Sequence, residues 1–212
     1  YKVGLLMGVQ VRTDLALEAK ETVQKPDEEI RGVRVEEEKD AEKEIYITRV
    51  IIETKNGAKI MGKPMGTYIT LEAPRMATPD EDYHREVSEK VADQIRELLP
   101  DEKEELSILV VGLGNREVTA DALGPNAADQ LHITRHVVRE FGKAAYNKNK
   151  MHTVSAIVPG VMAKTGMETC EIIRGVVEET KPDAIIAIDA LAARSTKRII
   201  SHVSMPVFAI TP

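Results

Sequence analysis

The sequence predicts an α/β protein with three layers: a parallel or mostly parallel sheet with helices on both faces. Three observations carry that expectation. From Leu106 onward, the apolar runs SILVVGL, HTVSAIVP and DAIIAID alternate with helix-length segments. The runs are continuous rather than alternating, as strands buried on both faces are. Finally, Asp121 lies in the loop after the first run and Asp189 ends the third, so both carboxylates should emerge at one sheet edge.

The elements follow in order. VRTDLALEAKE reads as a short amphipathic helix, and QKPDEEIRGVRVEEEKDAEKE as a solvated face or linker, at about 24–44. IYITRVIIE, starting at Ile45, is β-branched; the pair Asn56-Gly57 and then KIMGKPMGTYITLE follow it, which predicts a hairpin or a mixed sheet edge. Pro64 and Gly66 break or bulge the second arm. At Thr78-Pro79-Asp80-Glu81 the start signals of a helix coincide, with Thr78 as cap and Glu81 completing a capping box. Val87, Val91, Ile95 and Leu98 form its apolar stripe and Pro100 stops it. The later helices follow Gly124-Pro125 and Thr165, the second with a box at Thr165 and Glu168 and a stop at Pro182.

Composition excludes several function classes. A chain of 212 residues, 42% hydrophobic, can bury one sizeable core, so a single α/β domain over 15–212 is expected. With 35 acidic against 29 basic residues, a net charge of -6 and no basic block, nothing is suited to track a phosphate backbone; no direct nucleic-acid binding is expected. No apolar segment approaches the ~20 residues that span a bilayer, and YKVGLLMGVQ lacks the flanks of a signal peptide. A cytoplasmic protein without a membrane partner is expected. Cys170, the single cysteine, can form neither an internal disulfide nor a cysteine metal cluster; its mid-helix pattern predicts a buried thiol.

Two close carboxylates suit general acid and base catalysis on a water attacking an amide or ester. Like charges in contact do not both ionise easily, so one of such a pair titrates above the free value of ~3.9 and a proton is shared. Asp121 and Asp189 are therefore the candidate catalytic pair, against the alternative that each is a helix cap or turn residue. Backbone N–H groups at Gly112, Gly114, Asn115 and Gly124 are candidates to hold an oxyanion or substrate. Other chemistries lack their motifs. GLGNRE has Glu117 where a dinucleotide fingerprint has its third glycine. There is no P-loop, HExxH or GxSxG. His132 and His136 stand one helical turn apart, a spacing that can ligate a metal with an aspartate but more often marks a polar helix face. No cofactor or metal is expected.

These residues also carry a resemblance. VRTDLALE, MGKPMGTYITLEAP, VVGLGNREVTADALGP with LHITRH, SAIVPGVMAKTGMET and KPDAIIAIDALAARS together resemble the germination proteases of spore-forming bacteria. The resemblance implies an aspartic-type endopeptidase that starts the degradation of small acid-soluble spore proteins in the spore core, with Asp121 and Asp189 as its catalytic aspartates. It implies a fold similar to the phosphorylase/hydrolase-like fold of the hydrogenase-maturation peptidases, and a homotetramer. It further implies a self-processing zymogen: Asp14-Leu15-Ala16-Leu17-Glu18 has the form of the substrate cleavage sites, so cleavage is expected between Asp14 and Leu15, with 1–14 as leader. After Arg198 the family pattern has a strand and a glycine-rich segment, whereas IISHVSMPVFAITP stands here; either the chain is truncated or discontinuous relative to the family, or this member diverges there. Two other readings compete: a metal-assisted peptidase using the same aspartates, and a non-enzymatic α/β module binding an anion or a peptide carboxylate.

Overall fold

The computed structural model describes residues 30–101, 103–142 and 151–191, and the backbone of 202–207. These form two compact units, dividing at Leu98/Leu99 and at Ala190/Leu191. The expected leader and the Asp14–Leu15 bond lie outside the described residues.

In the first unit, β1 (Val33–Asp40), β2 (Ile45–Ile52), β3 (Gly66–Glu72) and β7 (His202–Val207) make an antiparallel sheet in the order β1-β2-β3-β7. Strand β2 is central and buried on both faces because its two sets of alternate side chains have different covers. Ile45 and Ile47 join Ile69 and Leu71 of β3 under Tyr83 and Val87 of a long helix, α2 (Glu81–Leu98). Val50 and Ile52 join Tyr68 and Met61, the last from α1 (Lys55–Met61), with Val33, Val35 and Ala58 at the margin.

Several elements depart from the sequence reading here. The charged stretch read as a linker contains β1, whose Val33 and Val35 pack at the margin of the core around Val50 and Ile52 while Glu37, Glu38 and Lys39 are exposed; charge on an edge strand discourages pairing with a further chain. Asn56-Gly57 is not a hairpin turn but the first turn of α1. Thr54 Oγ1 accepts from the Gly57 N–H at 3.0 Å and caps the helix, so β2 and β3 pair antiparallel through a helix rather than a tight turn. Helix α2 is capped by Asp80, whose Oδ1 accepts from the Tyr83 N–H at 3.0 Å. Thr78 instead closes a 3-10 turn over Pro74–Ala77, its hydroxyl donating to the Arg75 carbonyl at 2.6 Å.

In the second unit, β4 (Ser107–Gly112), β5 (Thr153–Ile157) and β6 (Ala184–Ile188) form a parallel sheet in the order β5-β4-β6. Strand β4 is central. Ile108 and Val110 lie in one core with Leu106, Val154, Ala156, Ile186 and Ile188, while Leu109 and Val111 are buried from the opposite side. The helices are α3 (Leu123–Asp129), α4 (Arg135–Phe141), the short α5 (Met162–Thr165) and α6 (Thr169–Thr180). The expected α/β fold with a parallel sheet is present in this unit, but the strands of 33–72 do not extend that sheet; they belong to an antiparallel sheet of their own.

Three local expectations also change. Helix α6 starts at Thr169 with Glu168 and Glu171 as its reciprocal capping box, because α5 and the left-handed Gly166 take up the preceding residues. Cys170 sits in the first turn of α6 and is exposed, not buried. His132 precedes α4 rather than lying on it, so the pair His132 and His136 does not share one helix face.

Candidate active site

The carboxyl end of the parallel sheet is built by three glycine-dependent approaches. Gly112 ends β4 opposite Ile188, and a β-carbon on it would stand 2.5 Å from the Gly124 carbonyl oxygen. A β-carbon on Gly124 would lie 2.2 Å from the Ile188 carbonyl and 2.3 Å from that of Leu113. Only residues without side chains let backbone meet backbone at such range, so the start of α3 rests directly on the ends of β4 and β6.

That arrangement gathers the two aspartates. The Leu113 N–H donates to the Ile188 carbonyl at 2.8 Å, joining the exits of β4 and β6, and Asp189 is the next residue after Ile188. On the β4 side the chain turns at Gly114, whose φ is +114°, and runs through a 3-10 turn, Thr119–Asp121, before α3. The Asn115 N–H then donates to both the Asp121 carbonyl at 3.1 Å and Asp121 Oδ2 at 2.7 Å. Adjacent strands thus deliver Asp121 and Asp189 to the same sheet edge. Asp121 is half-buried and Asp189 exposed; Asp189 Oδ1 accepts from the Ala190 N–H at 2.8 Å.

The four backbone positions expected to hold an oxyanion have distinct surroundings. Gly112 and Gly124 are packing residues of the strand–helix junction. The Asn115 N–H is already given to Asp121, so it is not an open donor in this arrangement. Gly114 lies against Asp121.

Other residues at this edge carried no sequence signal. Lys164 of α5 pairs with Glu117 at 2.5 Å, linking the loops that leave β5 and β4. Arg116 pairs with Asp129 at the end of α3, and its hydrogen bonds hold the Asp129 carboxyl below its usual range. Val118, Leu123, Met162 and Met167 expose apolar side chains on these same connections. Ion pairs between loops distant in sequence have no local pattern by which to be found. The exposed apolar residues could have been flagged only once Val118 and Met167 were known to lie between elements and Leu123 and Met162 at the exposed starts of α3 and α5. Among the described residues, no three His, Cys, Asp or Glu side chains gather in a metal-ligating arrangement, and no helix is long and apolar enough to cross a membrane.

A family profile described as germination protease matches residues 9–212. A germination protease of Caldanaerobacter subterraneus subsp. tengcongensis is 43% identical over 208 residues, covering 98% of this chain and 62% of that protein. Another, from Clostridium perfringens, is 42% identical over 205 residues, 95% of this chain and 61% of that protein. A third, from Priestia megaterium, is 44% identical over 213 residues, 95% of this chain and 55% of that protein. The chain therefore spans about three fifths of the length of these relatives.

Proposed function

The chain belongs to the germination protease family, and from that premise we propose that it is the core of an aspartic-type endopeptidase that begins the breakdown of small acid-soluble spore proteins when a spore germinates. Asp121 and Asp189 are its catalytic pair. One carboxylate takes a proton from a water molecule while the other, protonated, donates to the carbonyl oxygen of the scissile amide, so the attack needs neither free hydroxide nor a covalent intermediate. The proton lost from water and the proton gained by the carbonyl keep the pair's total charge constant through the step.

The observation that carries this reading is the adjacency of β4 and β6, which are hydrogen-bonded neighbours in one parallel sheet, with Asp189 directly after β6 and Asp121 in the loop that leaves β4. Outside the carboxyl ends of such strands is where ligands of open α/β sheets bind. A protein substrate also suits the surroundings, because Val118, Leu123 and Met162 offer exposed apolar contacts beside the Lys164–Glu117 pair. Further parts of the same reading are a fold like that of the hydrogenase-maturation peptidases, assembly as a homotetramer in the spore core, and synthesis as a zymogen that cuts itself between Asp14 and Leu15.

The test is to incubate the protein and its Asp121→Asn and Asp189→Asn variants with a small acid-soluble spore protein, following both substrate cleavage and leader removal by mass. Each variant removes a titrating group at nearly constant volume, so each should lose on the order of 10²- to 10⁴-fold in rate. Cleavage by the folded variants at the parental rate would sink the pair.

A further inference from the structure

We propose that Gly114 and the backbone amide of Asn115 are positioning residues that fix the orientation of the Asp121 carboxylate; the inference rests on the catalytic reading of Asp121 given above. Gly114 occupies a backbone conformation, φ +114°, that residues with side chains rarely adopt. A β-carbon there would stand 2.0 Å from the Asp121 carbonyl oxygen and 3.1 Å from its Oδ1. The space left by the missing side chain is therefore the space in which Asp121 sits. With Gly114 folded back in this way, the next amide reaches two oxygens of one residue: Asn115 donates to the Asp121 carbonyl at 3.1 Å and to Oδ2 at 2.7 Å.

The segment between them is closed by its own bonds. The Glu117 N–H donates to Asn115 Oδ1 at 3.1 Å, the Val118 N–H to the Asn115 carbonyl at 3.1 Å, and the Asp121 N–H to the Val118 carbonyl at 2.8 Å. Residues 114–121 thus form a clasp in which the amide takes Oδ2 and leaves Oδ1 beside the space that a β-carbon on Gly114 would occupy. A carboxylate that rotated freely would present either oxygen; this one is sorted into a structural oxygen and a reacting one. Holding a catalytic group in one geometry matters because misplacement by about 1 Å can cost on the order of 10²-fold in rate.

The experiment combines kinetics with a readout that activity does not enter. By amide NMR on the full chain, the Asn115 N–H resonance should move with pH as the Asp121 carboxyl ionises, and that movement should vanish in Asp121→Asn. Gly114→Ala should lower kcat about 100-fold with KM changed by less than about threefold. Gly142→Ala has a similarly left-handed backbone, φ +68°, with open space around the added carbon, and should leave kcat unchanged. An Asn115 amide indifferent to Asp121 overturns the clasp, and so does a folded Gly114→Ala with parental kcat. If Gly114→Ala does not fold, the titration in the parent decides alone. Full activity in Asp121→Asn would instead bring down the catalytic reading while the Asn115 titration still reported on the clasp, so the two failures are distinguishable.

Discussion

Gly124 and Ile188 meet backbone to backbone: the α-carbon of the helix residue lies so near the strand carbonyl that an added methyl would stand 2.2 Å from its oxygen. This contact seats α3 on the exits of β4 and β6. Gly124→Ala must therefore push the helix off the sheet edge. Overfilling a packed site costs typically 1–3 kcal/mol, and since the opposing atoms are backbone rather than mobile side chain, a loss of about 3 kcal/mol is expected. Chemical denaturation should register it as a lower midpoint.

Thr134 ties the start of β5 to the segment before α4. Its hydroxyl donates to the His152 carbonyl at 2.8 Å and accepts from the Val154 N–H at 2.8 Å, and the residue is 2% exposed. Thr134→Val keeps the shape but leaves both backbone groups unpaired, for which a loss of about 2 kcal/mol is expected. An unchanged denaturation midpoint would show that water replaces the hydroxyl.

Arg49 on β2 reaches across to α2, donating from Nη2 to Gln94 Oε1 at 2.6 Å, and Gln94 is only 4% exposed. Arg49→Met strands a buried amide oxygen and should cost about 1–2 kcal/mol. Pairing it with Gln94→Leu removes the stranded group as well, so the double variant should recover part of the loss. A double-mutant cycle with no coupling would mean the bond contributes nothing.

Asp183 opens β6, accepting from Lys103 and, at 2.8 Å, from the Ser107 N–H. The Lys103 hydrogen bond first, and the Ser107 amide second, hold its carboxyl below the usual carboxylate value. A folded value depressed below the unfolded ~3.9 gives stability that is full above that unfolded value and lost as pH falls through the folded one. Asp183→Asn should thus be less stable than the parent at neutral pH, with the gap closing below about pH 4. Because the group is close to solvent, salt should shrink the gap. A gap that stayed constant from neutral pH to pH 2 would refute the assignment.

Much of the second unit was legible as sequence. Short continuous apolar runs that alternate with helix-length segments read as strands covered on both sides, and β4 is buried from both sides in keeping with that pattern. The first unit was less so. Val33 and Val35 are too few to outweigh the surrounding charge in a local reading; they become strand residues because β2 supplies hydrogen-bond partners along the whole of β1. Asn56-Gly57 carried a hairpin signal that Thr54 overrode by capping a helix across it. Cys170 and the helix start at Thr169 differ from the sequence reading together, since a helix that begins at Thr169 puts Cys170 in its exposed first turn rather than in its middle.

By itself, the sequence determined the family, the alternation of strand and helix after Leu106, and the presence of one aspartate in the loop after β4 and another at the end of β6. These are local properties, set by residue type and spacing along a few turns of chain. Tertiary structure alone decided that β4 and β6 are neighbours, that the strands of 33–72 close a sheet of their own with β7, and that the Asn115 amide is spent on Asp121. Such facts depend on which distant backbones come within hydrogen-bonding reach, and at this sheet edge reach is governed by three glycines whose missing side chains leave room that no periodicity records.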